Sequence, residues 1–384
     1  MTLVKHMNVF SFVRKVVHGV PYLGKELRDR VTDCTAFFIA KPWVVQLKRN
    51  APCNGRCIMC SGGFLKGDAV KESNETPLSD EMIPRVLDQI AELGGRGTMV
   101  SYTGGEPLLT RALLDWADQA KKLKIDFRFT TNGYLVNEEV ARLLVAADLF
   151  NIGVSLESLD TAVNEAIRPF RGGTVRTIKA IDLLLLERQQ QRSRTSINIK
   201  CMLTRLNHEA FLEIVERWGK ADGVIVTPQT LEVQDGMPLE TQEKLWISDV
   251  SGFEKTVGQI KKLQASGYHI NADDQALDNF IKRYRDDPER KSMLGHKTVV
   301  DNAAPVCNIG TESLFIGTDG AVKLCPHFPA IGNVVQNGAT LMDMWHSKQA
   351  HLVRSQTKRC RQLCTLSNLR HKSLLHKIRM FIEM

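Results

Sequence analysis

The chain has 384 residues, of which 43% are hydrophobic and 24% charged, and a net charge of +8. That composition excludes a disordered or fibrous protein and suits one large domain or two, while the positive balance favours an anionic partner such as a phosphate, nucleotide, acidic peptide or anionic lipid surface. The basic residues are dispersed, and none of the patterns makes a nucleic-acid module, so no specific nucleic-acid binding is expected. Nine cysteines with no secretory leader point to the cytoplasm, a reducing compartment where clustered cysteines bind metal more often than they pair as disulfides. No apolar run is long enough to cross a membrane.

Residues 1–42 are basic and amphipathic: Val9, Phe10, Phe12, Val13, Val16 and Val17 are interspersed with Lys5, Arg14 and Lys15. Such a helix can lie on a membrane surface, giving a peripheral contact, or simply pack on the core. From Trp43 a rhythm of short β-rich runs begins. The predicted strands are 43–47, 98–102, 127–131, 150–155, 197–203 and 224–226. Between them lie helical patterns. The first opens at Ser79, a plausible N-cap, repeats Ile83, Val86, Leu87, Ile90 and Leu93, and stops at Gly94 and Gly95. Others run near 110–122, 137–147, 174–189 and 207–219. Strands alternating with helices in this way predict an α/β fold with a parallel sheet, open or partly closed into a barrel, whose chemistry sits at the strands' carboxyl ends.

The region 43–235 is thus one α/β unit, and 236–300 reads as a helical connector. A last unit over 301–366 contains two short strands, 313–316 and 321–324, around the hairpin signal Thr318-Asp319-Gly320. Cys307 precedes this hairpin, Cys325 ends it, and Cys360 and Cys364 follow a helix near 340–356. Residues 367–384 form a basic amphipathic tail. Cys34 and Cys201 stand alone in apolar surroundings and read as small core residues.

The chemistry concentrates in Cys53-Asn54-Gly55-Arg56-Cys57-Ile58-Met59-Cys60, directly after the first strand. Three thiolates on so short a loop converge, and soft sulfur ligands select an iron-sulfur cluster, zinc or copper over hard cations. Three cysteines leave one iron of a four-iron cluster without a protein ligand, an open position for a small molecule. Zinc with a distant fourth ligand is the other reading of the same loop. Further residues cluster at strand ends: Gly104-Gly105-Glu106-Pro107 after the second, Thr131-Asn132-Gly133 after the third and Ser155-Leu156-Glu157-Ser158 after the fourth.

Cys53-x-x-x-Cys57-x-x-Cys60 followed by Gly104-Gly105-Glu106-Pro107, each after a strand, resembles the radical S-adenosylmethionine (SAM) superfamily. The later order of Cys307, Gly320, Cys325, Ile331-Gly332-Asn333, Met344-Trp345 and Cys360-x-x-x-Cys364 resembles the auxiliary-cluster domains called SPASM or Twitch. The resemblance therefore runs from about residue 43 to 364. It implies a partial (βα)6 TIM-like barrel of parallel strands followed by a small α+β cluster domain. Cys53, Cys57 and Cys60 would hold a catalytic 4Fe-4S cluster, and Cys307, Cys325, Cys360 and Cys364 a second, auxiliary one. A full SPASM domain has cysteines for two clusters, and this chain offers four, which suits an abbreviated version or a structural zinc.

In the family, SAM chelates the open iron through its amino and carboxylate groups. The resemblance assigns its amino end to the backbone of Gly104 and Gly105 and to Glu106, next to Pro107, and its ribose and carboxylate to Asn132, Ser155 and Glu157. Met59, where the family usually has an aromatic residue, would pack near the adenine. Arg168 and Arg171 suit the SAM carboxylate or an anionic substrate. Arg168 and His327, beside Cys325, are the candidates for a catalytic role. The expected reaction is reductive cleavage of SAM and hydrogen abstraction from an organic substrate, giving oxidation or rearrangement, with a flavodoxin- or ferredoxin-type electron donor. The absence of a peptide-recognition domain leans toward a small anionic molecule such as a sugar or nucleotide derivative. A maturase of a ribosomally made peptide is the alternative, and a zinc-binding scaffold at a membrane surface is the contrasting, non-enzymatic one.

Overall fold

The computed structural model describes residues 41–49, 52–60, 78–234, 236–286, 307, 309–336 and 338–360. The basic segment over 1–40, the tail over 367–384 and Cys364 lie outside the described residues.

Six parallel strands form the core: β1 (Val44–Lys48), β2 (Met99–Thr103), β3 (Asp126–Thr131), β4 (Asn151–Ser155), β5 (Ser196–Leu203) and β6 (Val224–Thr230). They pair in sequence order, as the alternation with helices predicts. Between them come α1 (Ile83–Gly94), α2 (Leu113–Lys122), α3 (Glu138–Ala146), α4 (Thr161–Ile167), α5 (Gly173–Gln190) and α6 (Phe211–Trp218). Alternate strand positions are dry: Val45, Leu47, Val100, Tyr102, Phe127 and Phe129 are buried under the helices, and the Tyr102 ring meets Trp116 of α2 edge-on at 5.6 Å. On α1 the apolar repeat Ile83, Val86, Leu87, Ile90 and Leu93 is buried throughout, each side chain contributing about 1.5–3 kcal/mol.

The intervening positions face the other way, into the barrel. Strand register stacks them in rungs. Phe315, Gln46, Ser101, Arg128, Asn151 and Ser196 form one rung. The next holds Lys48, Thr103, Thr130, Gly153, Asn198 and Ile225, and above it lie Ser155, Lys200 and Thr227.

The segment read as a connector carries α7 (Leu239–Leu245), α8 (Val250–Ala265) and α9 (Asp274–Asp286). These pack on the core: Tyr284 accepts from the Leu231 N–H at 3.0 Å and donates to the Leu203 carbonyl at 2.9 Å. Past the short α10 (Ile309–Glu312), the strands β7 (Ser313–Ile316), β8 (Ala321–Lys323) and β9 (Gly332–Asn333) do not form a separate sheet. β7 lies parallel to β1, with Val44 opposite Ser313, so nine strands make one continuous sheet in the order β6-β5-β4-β3-β2-β1-β7-β8-β9. The helix predicted near 340–356 is two, α11 (Leu341–Trp345) and α12 (Lys348–Arg359). The break has a local cause, because Ser347 turns its side chain to accept from the Ala350 N–H and starts a new helix.

Candidate active site

The loops after β1, β2 and β3 are stitched together. Glu106 donates its N–H to the Pro52 carbonyl at 3.0 Å, and the Asn132 amide donates to Asn54 Oδ1 at 2.7 Å. The far side of the cysteine loop is held by the Ile58 N–H, which donates to the Ile167 carbonyl at the end of α4. The loop therefore sits over the carboxyl ends of β1 to β4, where the topology predicts the chemistry. Gly55 lies at its centre. A Cβ there would be 3.7 Å from both Cys53 Sγ and Cys57 Sγ, so the two sulfurs flank one point, and the Gly55 N–H donates to Cys53 Sγ at 3.4 Å. Cys60 is exposed and completes the set of three thiols.

This soft donor set fits an iron-sulfur cluster. Among the described residues no group of three or more His, Cys, Asp or Glu side chains is placed to hold a single metal ion. Burial pushes the Cys53 thiol up, opposed by the Gly55 N–H; burial does the same to Cys57, opposed by the Arg168 guanidinium.

Glu106 is 1% exposed and spends its carboxylate on the protein. Oε1 accepts from Thr131 Oγ1 at 2.6 Å and the Leu108 N–H at 3.1 Å, and Oε2 accepts from the Asn132 N–H at 2.8 Å. Burial raises its pKa and these three donors oppose the rise. Gly104, at φ +116°, has the Arg49 carbonyl oxygen where a Cβ would go, so no side chain fits in this turn. Gly105 also has positive φ, and Pro107 is buried and opens a single 3₁₀ turn.

Glu157 lies behind the site. It is 0% exposed; Oε1 accepts from Arg168 Nε at 2.8 Å and Nη2 at 2.6 Å, and Oε2 from the Met202 N–H at 2.7 Å. Its carboxylate thus orients Arg168. The third nitrogen of Arg168, Nη1, donates to Cys57 Sγ at 3.3 Å. Although burial opposes the charge, Glu157 and Cys57 hold this guanidinium firmly protonated. Arg168 thus stands beside a cysteine sulfur as a fixed cation.

Other expectations meet different fates. Asn132 is engaged on several sides: its Oδ1 accepts from the Tyr134 N–H and its carbonyl from Thr177 Oγ1. Ser155 is half-buried at the carboxyl end of β4, and Arg171 is exposed. Met59 is 4% exposed and belongs to the apolar core. His327 follows Cys325 at the end of the β7–β8 hairpin, where burial and Lys323 lower its pKa. Cys325 is buried, and Cys307 and Cys360 are half-buried. Arg354 of α12 donates to the Gly310 carbonyl at 3.1 Å, tying the turn after Cys307 to the helix that ends at Cys360.

Residues 52–217 match the model of the radical SAM superfamily, and residues 307–366 match that of SPASM, an iron-sulfur cluster-binding domain. The two matches together span more than half of the chain. This chain belongs to the radical SAM superfamily. It is therefore an iron-sulfur enzyme family member whose cofactors are a catalytic 4Fe-4S cluster with SAM and an auxiliary 4Fe-4S cluster, and the zinc scaffold reading is set aside. Among curated relatives, it is 26% identical over 170 residues to the mycofactocin maturase MftC of Mycolicibacterium smegmatis, a match covering 44% of this chain and 40% of MftC. It is 36% identical over 115 residues to a probable GTP 3',8-cyclase of Thermococcus kodakarensis, covering 30% and 35%. The chain thus spans less than half the length of these relatives. Its fold is similar to that of Streptococcus suis SuiB solved with the precursor peptide SuiA, at a TM-score of 0.59 and 16% identity, covering 91% of this chain and 73% of SuiB. It is also similar to anSMEcpe solved with AdoMet and the Cp18Cys peptide, at 0.54 and 14%, covering 88% and 96%.

Among the described residues no helix is long and apolar enough to cross a membrane. Two basic side chains of the barrel interior, Arg128 and Lys200, are not among the sequence-predicted site residues. Their signal was present, because a charged residue inside a strand of a parallel sheet departs from the apolar pattern such strands show.

Proposed function

We propose that this chain is a radical SAM enzyme that modifies a peptide. The observation that carries the reading is the convergence, over the carboxyl ends of four parallel strands, of the Cys53, Cys57 and Cys60 loop, the Gly104-Gly105-Glu106-Pro107 turn and Arg168. In this reading Cys53, Cys57 and Cys60 ligate the catalytic cluster, and Cys307, Cys325, Cys360 and Cys364 the auxiliary one. When bound, the cluster and SAM supply a 5'-deoxyadenosyl radical able to abstract hydrogen from carbon.

The chain's own residues hold and orient. The Gly104 and Gly105 backbone lets an amino acid group approach closely, and Ser155 offers an uncommitted hydroxyl at the strand end. Arg168, fixed by Glu157, sets a positive charge between Cys57 and that position, suited to a carboxylate. Glu106 joins the loops after β2 and β3, so that both walls move as one. A flavodoxin- or ferredoxin-type protein supplies the electron. His327, beside Cys325, lies near the auxiliary site and is kept neutral by its surroundings.

The peptide substrate is now better supported than the small anionic molecule that the sequence favours. Its support is the match to a maturase and the fold shared with two proteins solved with peptides. The test is anaerobic reconstitution with iron and sulfide analysis, followed by assay of 5'-deoxyadenosine and of mass change in a short peptide encoded beside the gene. About eight irons per chain are expected, falling to about four with loss of SAM cleavage when Cys53, Cys57 and Cys60 are replaced by Ala. SAM cleavage stimulated by a small metabolite and not by any peptide would overturn the substrate class.

A further inference from the structure

Two cations of the barrel interior form no ion pair with an acid among the described residues. Arg128 on β3 and Lys200 on β5 face inward on rungs that flank the one carrying Thr130, Gly153 and Asn198. Lys200 leans across β4 and donates from Nζ to Thr130 Oγ1 at 2.7 Å. Gly153 makes this crossing feasible: a Cβ there would lie 2.6 Å from Thr130 Oγ1 and 3.2 Å from Lys200 Cε. Arg128 Nε is buried and has no hydrogen-bond partner, and no carboxylate among the described residues pairs with either side chain. Asp126, two residues before Arg128 on the same face, pairs with neither cation: one of its oxygens is buried without a hydrogen-bond partner, burial raises its pKa, and the charges acting on it are Arg194 and Asp148.

Leaving cations in a low-dielectric interior without a counter-ion is unfavourable. The surroundings show it: burial pushes Lys200 down to about 7, with Arg128 adding to the effect, and burial alone takes Arg128 to about 10. A fold that keeps two such groups together, Lys200 level with Ser155 and Arg128 two rungs below it, is arranged for an incoming anion. Arg presents a planar fork for a carboxylate, and the ammonium a second, movable donor. The neighbouring side chains Asn198 and Thr227, bonded to each other at 2.7 Å, add neutral polar groups to the same inward face of the sheet.

We infer that Arg128 and Lys200 form a carboxylate-binding floor in the barrel, and that the substrate segment taken into it carries either an acidic side chain or a free C-terminal carboxylate. This rests on the peptide reading above and narrows it to one charge class.

The test uses the full chain, reconstituted anaerobically and loaded with SAM. Three N-acetylated tripeptides serve as probes in calorimetric titrations: trialanine with a free carboxylate, Ala-Asp-Ala amide, and trialanine amide as the neutral control. One of the first two should bind at least about tenfold more tightly than the control, and which one it is separates a terminal from a side-chain carboxylate. Lys200→Met and Arg128→Met should each abolish that preference with iron content and SAM affinity unchanged, while Lys200→Arg should keep it. Equal affinity for all three probes, or a preference that survives both Met substitutions, would overturn the inference. So would a parallel loss of SAM affinity, which would assign the cations to the cofactor. These outcomes are read by binding, so they stand apart from a failure of the peptide reading, which would appear as SAM cleavage that no peptide stimulates.

Discussion

Replacing Glu157 by Gln isolates the ion pair behind the cysteine loop. In the native chain Arg168 gives Glu157 two hydrogen bonds, at 2.8 and 2.6 Å, and the Met202 N–H gives it a third at 2.7 Å, all at a carboxylate with 0% exposure. Gln keeps the shape and can still accept from Met202, yet it removes the charge that compensates Arg168. Breaking one side of a buried pair costs about 3–5 kcal/mol, and the retained bond puts this substitution near about 3 kcal/mol. That is a large share of the 5–15 kcal/mol typical of a folded domain, as an order of magnitude. Urea unfolding followed by circular dichroism would measure it for Glu157→Gln, Arg168→Met and the pair combined. The double variant should be more stable than the sum of the singles predicts, with a coupling above about 1 kcal/mol. Because Nη1 of Arg168 also touches Cys57, Glu157→Gln should shift the electron paramagnetic resonance spectrum of the reduced cluster. A loss under about 1 kcal/mol with additive singles would refute the reasoning.

Burial takes Asp126 from 3.8 up to about 7, so the folded chain holds that proton more tightly than the unfolded one. The contribution of Asp126 to stability is then fullest below about pH 4 and is lost as the pH rises toward 7, and Asp126→Asn should raise stability at pH 8 by about 2–4 kcal/mol and by little at pH 4; an identical gain at both pH values would count against it. Gly104→Ala should disable SAM binding because its Cβ meets the Arg49 carbonyl, whereas Gly172→Ala, at φ +68° with open space around it, should cost only about 1–2 kcal/mol of stability. Equal effects at the two glycines, in a SAM-binding titration and a thermal melt, would show that the close approach is unimportant. With the Cys53 and Cys57 thiols raised by burial, iron uptake must displace protons, so anaerobic reconstitution followed by absorbance should run faster at pH 9 than at pH 7. A rate independent of pH would contradict this.

Much of the fold was legible because the strands are apolar, β-branched runs such as Val44 and Val45 or Ile197 and Ile199, set between helices with clear apolar repeats. The site loops were legible for a related reason: cysteines, glycines and a carboxylate at strand ends have few structural uses. Side-chain direction was harder to read. Glu157 sits in the expected stretch, but only the folded chain shows its carboxylate turned inward to Arg168. Arg128 and Lys200 interrupt the apolar pattern of their strands, but the period-two pattern says which residues share a face and not whether that face meets solvent or a barrel interior. The short α4 was missed, although Asp160 caps it by accepting from the Ala162 and Val163 N–H groups, because seven residues carry too little periodicity. The union of β7 with β1 joins residues too distant in sequence for any local pattern to announce.

That union has a consequence for how the protein is made. Val44 waits for Ser313. At roughly 5–20 residues per second, the strand that covers β1 leaves the ribosome some tens of seconds after β1 itself. During that interval the strand leading into the cysteine loop is a bare template for stray pairing. A truncated chain ending before the hairpin would keep that hazard permanently, so the C-terminal third of this enzyme is also the safeguard of its N-terminal strand during synthesis.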